Sequence, residues 1–133
     1  MPFVLDASIC ASWALADEAS PVAELADSRL DNDVARVPRI WWYEIRNLLL
    51  VNERRQRIAR GDTLAFLELL AGYPVQIEET FSEGPIFELA RRHKLSFYDA
   101  AYLALAVRDQ IALATLDKNL AAAAIAENVP ILA

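Results

Sequence analysis

Three observations predict an α/β fold, a parallel sheet with helices packed on its faces. Short apolar runs of strand type alternate with longer helical stretches from one end of the chain to the other. The runs are apolar throughout, as in strands buried on both sides. The chain has 133 residues, 56% of them hydrophobic and 24% charged, which matches one globular domain and leaves no length for a second. Residues 1–133 are therefore read as a single domain, large enough to bury a core without disulfide or metal staples.

Phe3 to Leu5 is the first strand, and helices over Ser8 to Ala16 and Pro21 to Leu30 follow it. Ser20-Pro21 places a capping residue before a proline at the first helical position. Ala35 to Val37 is the second strand, leading into a long amphipathic helix over Ile40 to Arg57. Gly61-Asp62 opens a further helix through Leu70, and Gly72-Tyr73-Pro74 stops it before the third strand, Val75 to Ile77. Helices over Thr80 to Lys94 and Tyr98 to Arg108 come next, the second headed by Ser96-x-x-Asp99, the spacing of a capping box with Asp in place of Glu. The fourth strand is Ala112 to Leu116 and the fifth Pro130 to Leu132, with an alanine-rich helix over Lys118 to Glu127 between them.

Composition excludes several classes of function. Cys10 is the single cysteine, so no intrachain disulfide can form, and with one histidine no zinc cluster can be built; a reducing compartment, the cytoplasm, is expected. Thirteen basic against nineteen acidic residues give a net charge of −6, which argues against a general electrostatic attractor for nucleic acid and leaves room only for a local basic strip. The N-terminal residues have neither the basic start nor the apolar stretch of a signal peptide, and no apolar run approaches the roughly 20 residues of a membrane span. Three glycines cannot supply a dinucleotide fingerprint or a phosphate loop. His93, beside Arg91, Arg92 and Lys94, reads as a solvated helix-end residue, and nothing in the sequence brings it to Cys10 as a nucleophile pair.

Four acids stand where chemistry is expected. Asp6 follows the first strand and Asp117 the fourth, and ligands of parallel sheets bind beyond the carboxyl ends of strands; each is equally placed to cap the next helix. Glu44 lies on or beside the apolar face formed by Ile40, Trp41, Ile45, Leu48 and Leu49, so it needs an arginine such as Arg39 or Arg46, a proton or a cation. Asp99 heads the stripe of Tyr102, Leu103 and Ala106, or closes the capping box from Ser96. Ser8 and Thr115 have the right phase to accompany Asp6 and Asp117, as pocket groups or as caps and buried hydroxyls. Two carboxylates about 4 Å apart at an effective dielectric near 20 repel by roughly 4 kcal/mol, so four converging acids demand a counter-charge. Mg²⁺ or Mn²⁺ matches such a donor set and can activate water against a phosphodiester.

The segments Val4-Leu5-Asp6-Ala7-Ser8, Trp42-Tyr43-Glu44-Ile45-Arg46-Asn47, Leu95-Ser96-Phe97-Tyr98-Asp99-Ala100-Ala101-Tyr102 and Ala114-Thr115-Leu116-Asp117-Lys118-Asn119, in this order, resemble the PIN-domain family and, within it, the VapC-type ribonuclease toxins. The likeness runs over nearly the whole chain. It implies a five-stranded parallel sheet of order 3-2-1-4-5, with Asp6, Glu44, Asp99 and Asp117 as catalytic residues and metal ligands around Mg²⁺ or Mn²⁺, and Ser8 and Thr115 as polar neighbours. It further implies a metal-dependent endoribonuclease that hydrolyses RNA, a homodimer, and a cognate VapB-type antitoxin whose C-terminal segment fills the active groove. Asn119 stands where some members carry a further acid, which weighs against a complete second metal site.

Arg46, Arg54, Arg55, Arg57 and Arg60 make a basic stretch able to meet phosphates or to sit solvated at a helix end. For Trp13, Trp41, Trp42, Tyr43 and Tyr98 core packing is the default, against base stacking or a dimer face. The alternative function is a non-catalytic PIN-like RNA-binding or scaffold module. A phosphotransfer enzyme using Asp6 is disfavoured, because Asp6-Ala7-Ser8 lacks the second acid of an aspartyl phosphatase.

Overall fold

Parallel neighbours cannot be joined by tight turns, so every strand here is separated from the next by at least one helix that serves as the crossover. The computed structural model describes residues 1–133. Strand β1 (Phe3–Leu5) leads to α1 (Ala7–Ala14), a short 3₁₀ turn (Ala16–Glu18) and α2 (Pro21–Arg29); β2 (Ala35–Pro38) leads to α3 (Ile40–Arg54) and α4 (Arg60–Ala71). Then come β3 (Val75–Glu78), α5 (Glu83–His93), α6 (Phe97–Asp109), β4 (Ala112–Ala114) and α7 (Lys118–Ala126).

The sheet is parallel, with order β3-β2-β1-β4, and Leu5 lies opposite Ala114 in the register of β1 with β4. β1 has no solvent exposure at Phe3, Val4 or Leu5, so both its faces are covered, which explains a strand without alternation. Helix α6 packs across β1, β2 and β4 and buries Tyr102, Leu103, Leu105 and Ala106 in a core that also takes Ile9 and Cys10 from α1 and Ile45 and Leu49 from α3. Chain order reverses at the β1–β4 seam, because β2 and β3 were laid to one side of β1 and β4 to the other. That seam is the switch point at which open α/β sheets bind ligands.

Four expected boundaries are corrected. The fifth strand is absent: Pro130 to Leu132 makes one isolated parallel bridge, Ile131 to Leu113, with Leu113 N donating to Pro130 O and Leu132 N to Leu113 O. The sheet therefore has four strands in the order 3-2-1-4, not five in the order 3-2-1-4-5, because a single bridge does not make a ladder. The fourth strand closes at Ala114 instead of Leu116, since the amides of Leu116 and Asp117 donate to the hydroxyls of Ser8 and Thr115 rather than to a neighbouring strand. Helix α3 stops at Arg54 rather than Arg57, with Gln56 in the left-handed region at φ 59° and Arg57 N donating to Asn52 O. Helix α5 begins at Glu83 rather than Thr80, since the ring of Pro85 collides with the carbonyl a helix would place at Phe81.

Candidate active site

The register of β1 and β4 builds the floor of the site. Asp6 N donates to Ala114 O at 3.0 Å, which continues the ladder by one residue and sets Asp6 against Thr115. Thr115 Oγ1 and Ser8 Oγ both donate to Asp6 Oδ2 at 2.7 Å. Each hydroxyl is itself fixed by a backbone amide, Ser8 Oγ accepting from Leu116 N at 2.9 Å and Thr115 Oγ1 from Asp117 N at 3.0 Å. Asp6 occupies the N-cap position of α1 but makes no side-chain cap bond, so the capping alternative fails there. Asp6 is 5% exposed, and burial outweighs the hydroxyl bonds in raising its carboxyl pKa.

Asp117 does both jobs foreseen for it. Its Oδ1 accepts from Asn119 N at 2.8 Å and Leu120 N at 3.1 Å, capping α7, while the residue also lines the cavity. Asp99 realises half of a capping box: its N–H donates to Ser96 Oγ at 3.1 Å, but its carboxyl faces the cavity without returning a bond. Neither candidate arginine reaches Glu44. Arg39 pairs with Glu79 at 2.8 Å and Arg46 lies 4.0 Å over the Trp42 ring, so the ion-pair reading is overturned. Instead the Tyr102 hydroxyl donates to Glu44 Oε1 at 2.6 Å. Tyr102 is fully buried among carboxylates, which pushes its phenol pKa far up and keeps it a donor.

All four acids, with Ser8 and Asn47, line one open cavity of about 320 Å³ that has no lysine or arginine among its lining residues. Burial, and then the charge of the neighbouring acids, raises the carboxyl pKa of Glu44 and of Asp99 above the ordinary range. As the side chains stand, no three acidic, histidine or cysteine groups are close enough to hold one ion. Each acid is drawn to a different partner: Asp6 to the two hydroxyls, Glu44 to Tyr102, and Asp117 to the α7 amides. The donor set still fits a hard divalent cation, because four carboxylates share one cavity and no cationic side chain among its lining residues neutralises them.

Tyr102 and Asn47 escaped sequence reasoning. Tyr102 was legible only as part of an apolar stripe, and Asn47 stands three residues after Glu44 on the same helical face, a signal that was there to use. Other expectations resolve away from the cavity. Arg57 is tied to Asp17 and Glu18, whereas Arg54, Arg55 and Arg60 stay exposed. Trp41 is buried and Trp13 half-buried, but Trp42, Tyr43 and Tyr98 are exposed, so the core default fails for three of the five. Tyr43 and Tyr98 line an apolar groove of about 670 Å³ with Phe81 and Phe97. His93 is not solvated but hydrogen-bonded to Glu127 Oε2 at 2.6 Å, and Cys10 is sealed in the core with its thiol pKa raised by burial, which ends the nucleophile-pair alternative.

The PIN domain family model matches residues 3–126. Ribonuclease VapC3 of Pyrobaculum aerophilum is 33% identical over 128 residues, spanning 91% of this chain and 93% of that protein. Among solved structures, PAE2754 from Pyrobaculum aerophilum superposes with a TM-score of 0.73 at 21% identity, over 92% of this chain and 84% of that one. Mycobacterium tuberculosis VapC20, described as a sarcin–ricin loop cleaving toxin, gives a TM-score of 0.64 at 20% identity over 91% and 94%. VapBC2 from Rickettsia felis, solved with a promoter DNA fragment, gives a TM-score of 0.68 at 12% identity over 98% and 97%.

Proposed function

The chain belongs to the PIN-domain family, and from that premise we propose that it is a divalent-metal-dependent endoribonuclease, the toxin of a VapBC-type pair. One observation carries the reading: four acids from four distant segments line a single cavity at the sheet switch point, with no lysine or arginine among its lining residues. Asp6, Glu44, Asp99 and Asp117 are the residues that would hold Mg²⁺ or Mn²⁺. When bound, such a cation supplies charge that neutralises the carboxylates, eases loss of a proton from water and offsets charge developing on the phosphodiester.

Ser8 and Thr115 hold one oxygen of Asp6 and leave Oδ1 without a hydroxyl partner, so this carboxylate is fixed in place before any substrate arrives. Tyr102 sets the reach of Glu44 from below. Glu44, Asp99 and Asp117 are half-exposed, and side chains so placed change rotamer rapidly. In the hydrolysis, the oxygen of water bonds to phosphorus, the ester P–O bond breaks, and the departing oxygen takes up a proton.

A cognate VapB-type antitoxin and a homodimer complete the proposal; co-purification with the product of the adjacent gene and light scattering test them. Cleavage is tested on antitoxin-free protein with single-stranded and structured RNA, in Mg²⁺ or Mn²⁺ and in chelator. Asp6→Asn and Asp99→Asn are expected each to lose about 100-fold or more, since even removal of a ligand's hydrogen-bond partner typically costs about 10- to 100-fold. Activity indifferent to chelator and to both substitutions would overturn the mechanism, and RNA binding without cleavage would favour the scaffold module.

A further inference from the structure

A second polar cavity, of about 340 Å³, is lined by His93, Lys94, Asn119, Ala122 and Ala123, and Asn119 stands two residues after Asp117 of the acid cavity. The two cavities share their supports. Asn119 N donates to the Asp117 cap, and Lys94 precedes by two residues the Ser96 that caps the helix carrying Asp99.

Its charge is opposite to that of the acid cavity. Lys94 and Lys118 are the only lysines in the chain; both are exposed. Neither takes part in any ion pair, all of which are made by arginines, His93 and the N-terminus. Glu127, the partner of the lining residue His93 at 2.6 Å, is also taken by Arg92 at 2.8 Å. Each lysine also sits against one local preference, Lys94 by backbone conformation and Lys118 by charge. Lys94 holds the left-handed conformation at φ 54° that follows a helix, a place that favours glycine, and Lys118 opens α7, where the helix dipole disfavours a cation.

We propose that this depression is a phosphate subsite, in which Lys94 and the side-chain amide of Asn119, together with Lys118 one helical turn before Ala122 on α7, take a backbone phosphate of single-stranded RNA flanking the bond to be cut. The inference rests on the ribonuclease reading and deepens it. Phosphate contacts position a strand and carry no sequence information, so the subsite sets register at the acid cavity and leaves base choice to other surfaces. In a chain of net charge −6, unpaired lysines near the acid cavity favour the approach of RNA.

The test compares wild type with Lys94→Gly, Lys94→Arg and Lys118→Ala, on a single-stranded RNA of about 12 nucleotides and on a dinucleotide too short to reach the subsite. On the long RNA, Lys94→Gly and Lys118→Ala are expected to raise KM and Kd about 3- to 10-fold with kcat unchanged, and to flatten the dependence of log Kd on log salt by about 0.7 for each phosphate left unneutralised. On the dinucleotide they equal wild type, and Lys94→Arg keeps most of the affinity. Lys94→Gly also melts no lower than wild type, which separates lost binding from lost fold. Variants that match wild type on the long RNA, or lose equally on both substrates, overturn the subsite while leaving the ribonuclease reading intact. A wild type that neither binds nor cuts RNA overturns the ribonuclease reading itself, and the subsite with it.

Discussion

Tyr102 is the residue on which the acid cavity most depends without lining it. Its hydroxyl gives Glu44 the only side-chain hydrogen bond that carboxylate has, in a helix otherwise buried for packing. Tyr102→Phe keeps the ring and removes the donor, leaving Glu44 half-buried and unsupported. A hydrogen bond to a charged group contributes about 1.5–3 kcal/mol, and loss of an outer support to a metal ligand costs about 10- to 100-fold in activity or cation affinity. Cleavage rates and Mn²⁺ titration of the variant are expected to show that loss together with a lower melting temperature; an activity equal to wild type would mean that Glu44 finds its place unaided. The acids themselves were legible in the sequence, because carboxylates after strands and on apolar helix faces break a physical rule. What satisfied Glu44 was not, since a tyrosine 58 positions away is chemically indistinguishable from core until the helices are packed.

At the scale of the element, the cap of α7 and the proposed ligand role fall on the same side chain, Asp117, and they can be separated by choice of substitution. Asp117 accepts two amides of α7, a role asparagine performs as well as aspartate, whereas alanine performs none of it. Asp117→Asn is therefore expected to melt close to wild type and to lose cleavage, while Asp117→Ala loses cleavage and about 1 kcal/mol of stability besides. Ser96→Ala, which removes only the cap of α6, should cost about 1 kcal/mol and reduce activity less than either, as read by thermal unfolding and initial rates. Equal melting of the two Asp117 variants would show that the cap bonds contribute nothing. Most elements were readable from apolar periodicity and from Pro and Gly punctuation. The misplaced ends have local causes: Pro85 delays α5, and the turn at Gln56 cuts α3 short. The failure of the fifth strand is different in kind, because a run of β-type residues specifies a strand only where a neighbour remains to pair with over several residues.

For the whole molecule, the acid cavity gathers carboxylates whose burial opposes stability, and its pH dependence follows from the direction of the shifts. Asp6, Glu44 and Asp99 bind protons more readily in the folded chain than when unfolded, chiefly through burial. The native state therefore holds more protons than the unfolded state between the ordinary carboxylate range and the raised values, so these groups lower stability as pH rises through that window and hold it down above. Asp33, Glu78 and Glu127, whose pKa values are lowered by hydrogen bonds and ion pairs, act oppositely: what they contribute is lost as pH falls through the ordinary range and below. The two effects separate by difference. Asp6→Asn and Asp99→Asn remove only the first, so at neutral pH each variant is expected to melt above the cation-free wild type, and the gap should close as pH falls to about 4, near the ordinary carboxyl pKa. A cation that bridges the acids relieves the same penalty, so Mn²⁺ should raise the melting temperature of the wild type at neutral pH and do so progressively less in acid, where protons compete for the same oxygens. Saturation at 100-fold over its dissociation constant corresponds to about 2.7 kcal/mol, several degrees for a domain of this size, and the shift should vanish in the Asp6→Asn, Asp99→Asn double variant. A wild type whose melting is unmoved by Mn²⁺ at neutral pH would show that these carboxylates, though gathered in one cavity, do not act as a common cation site.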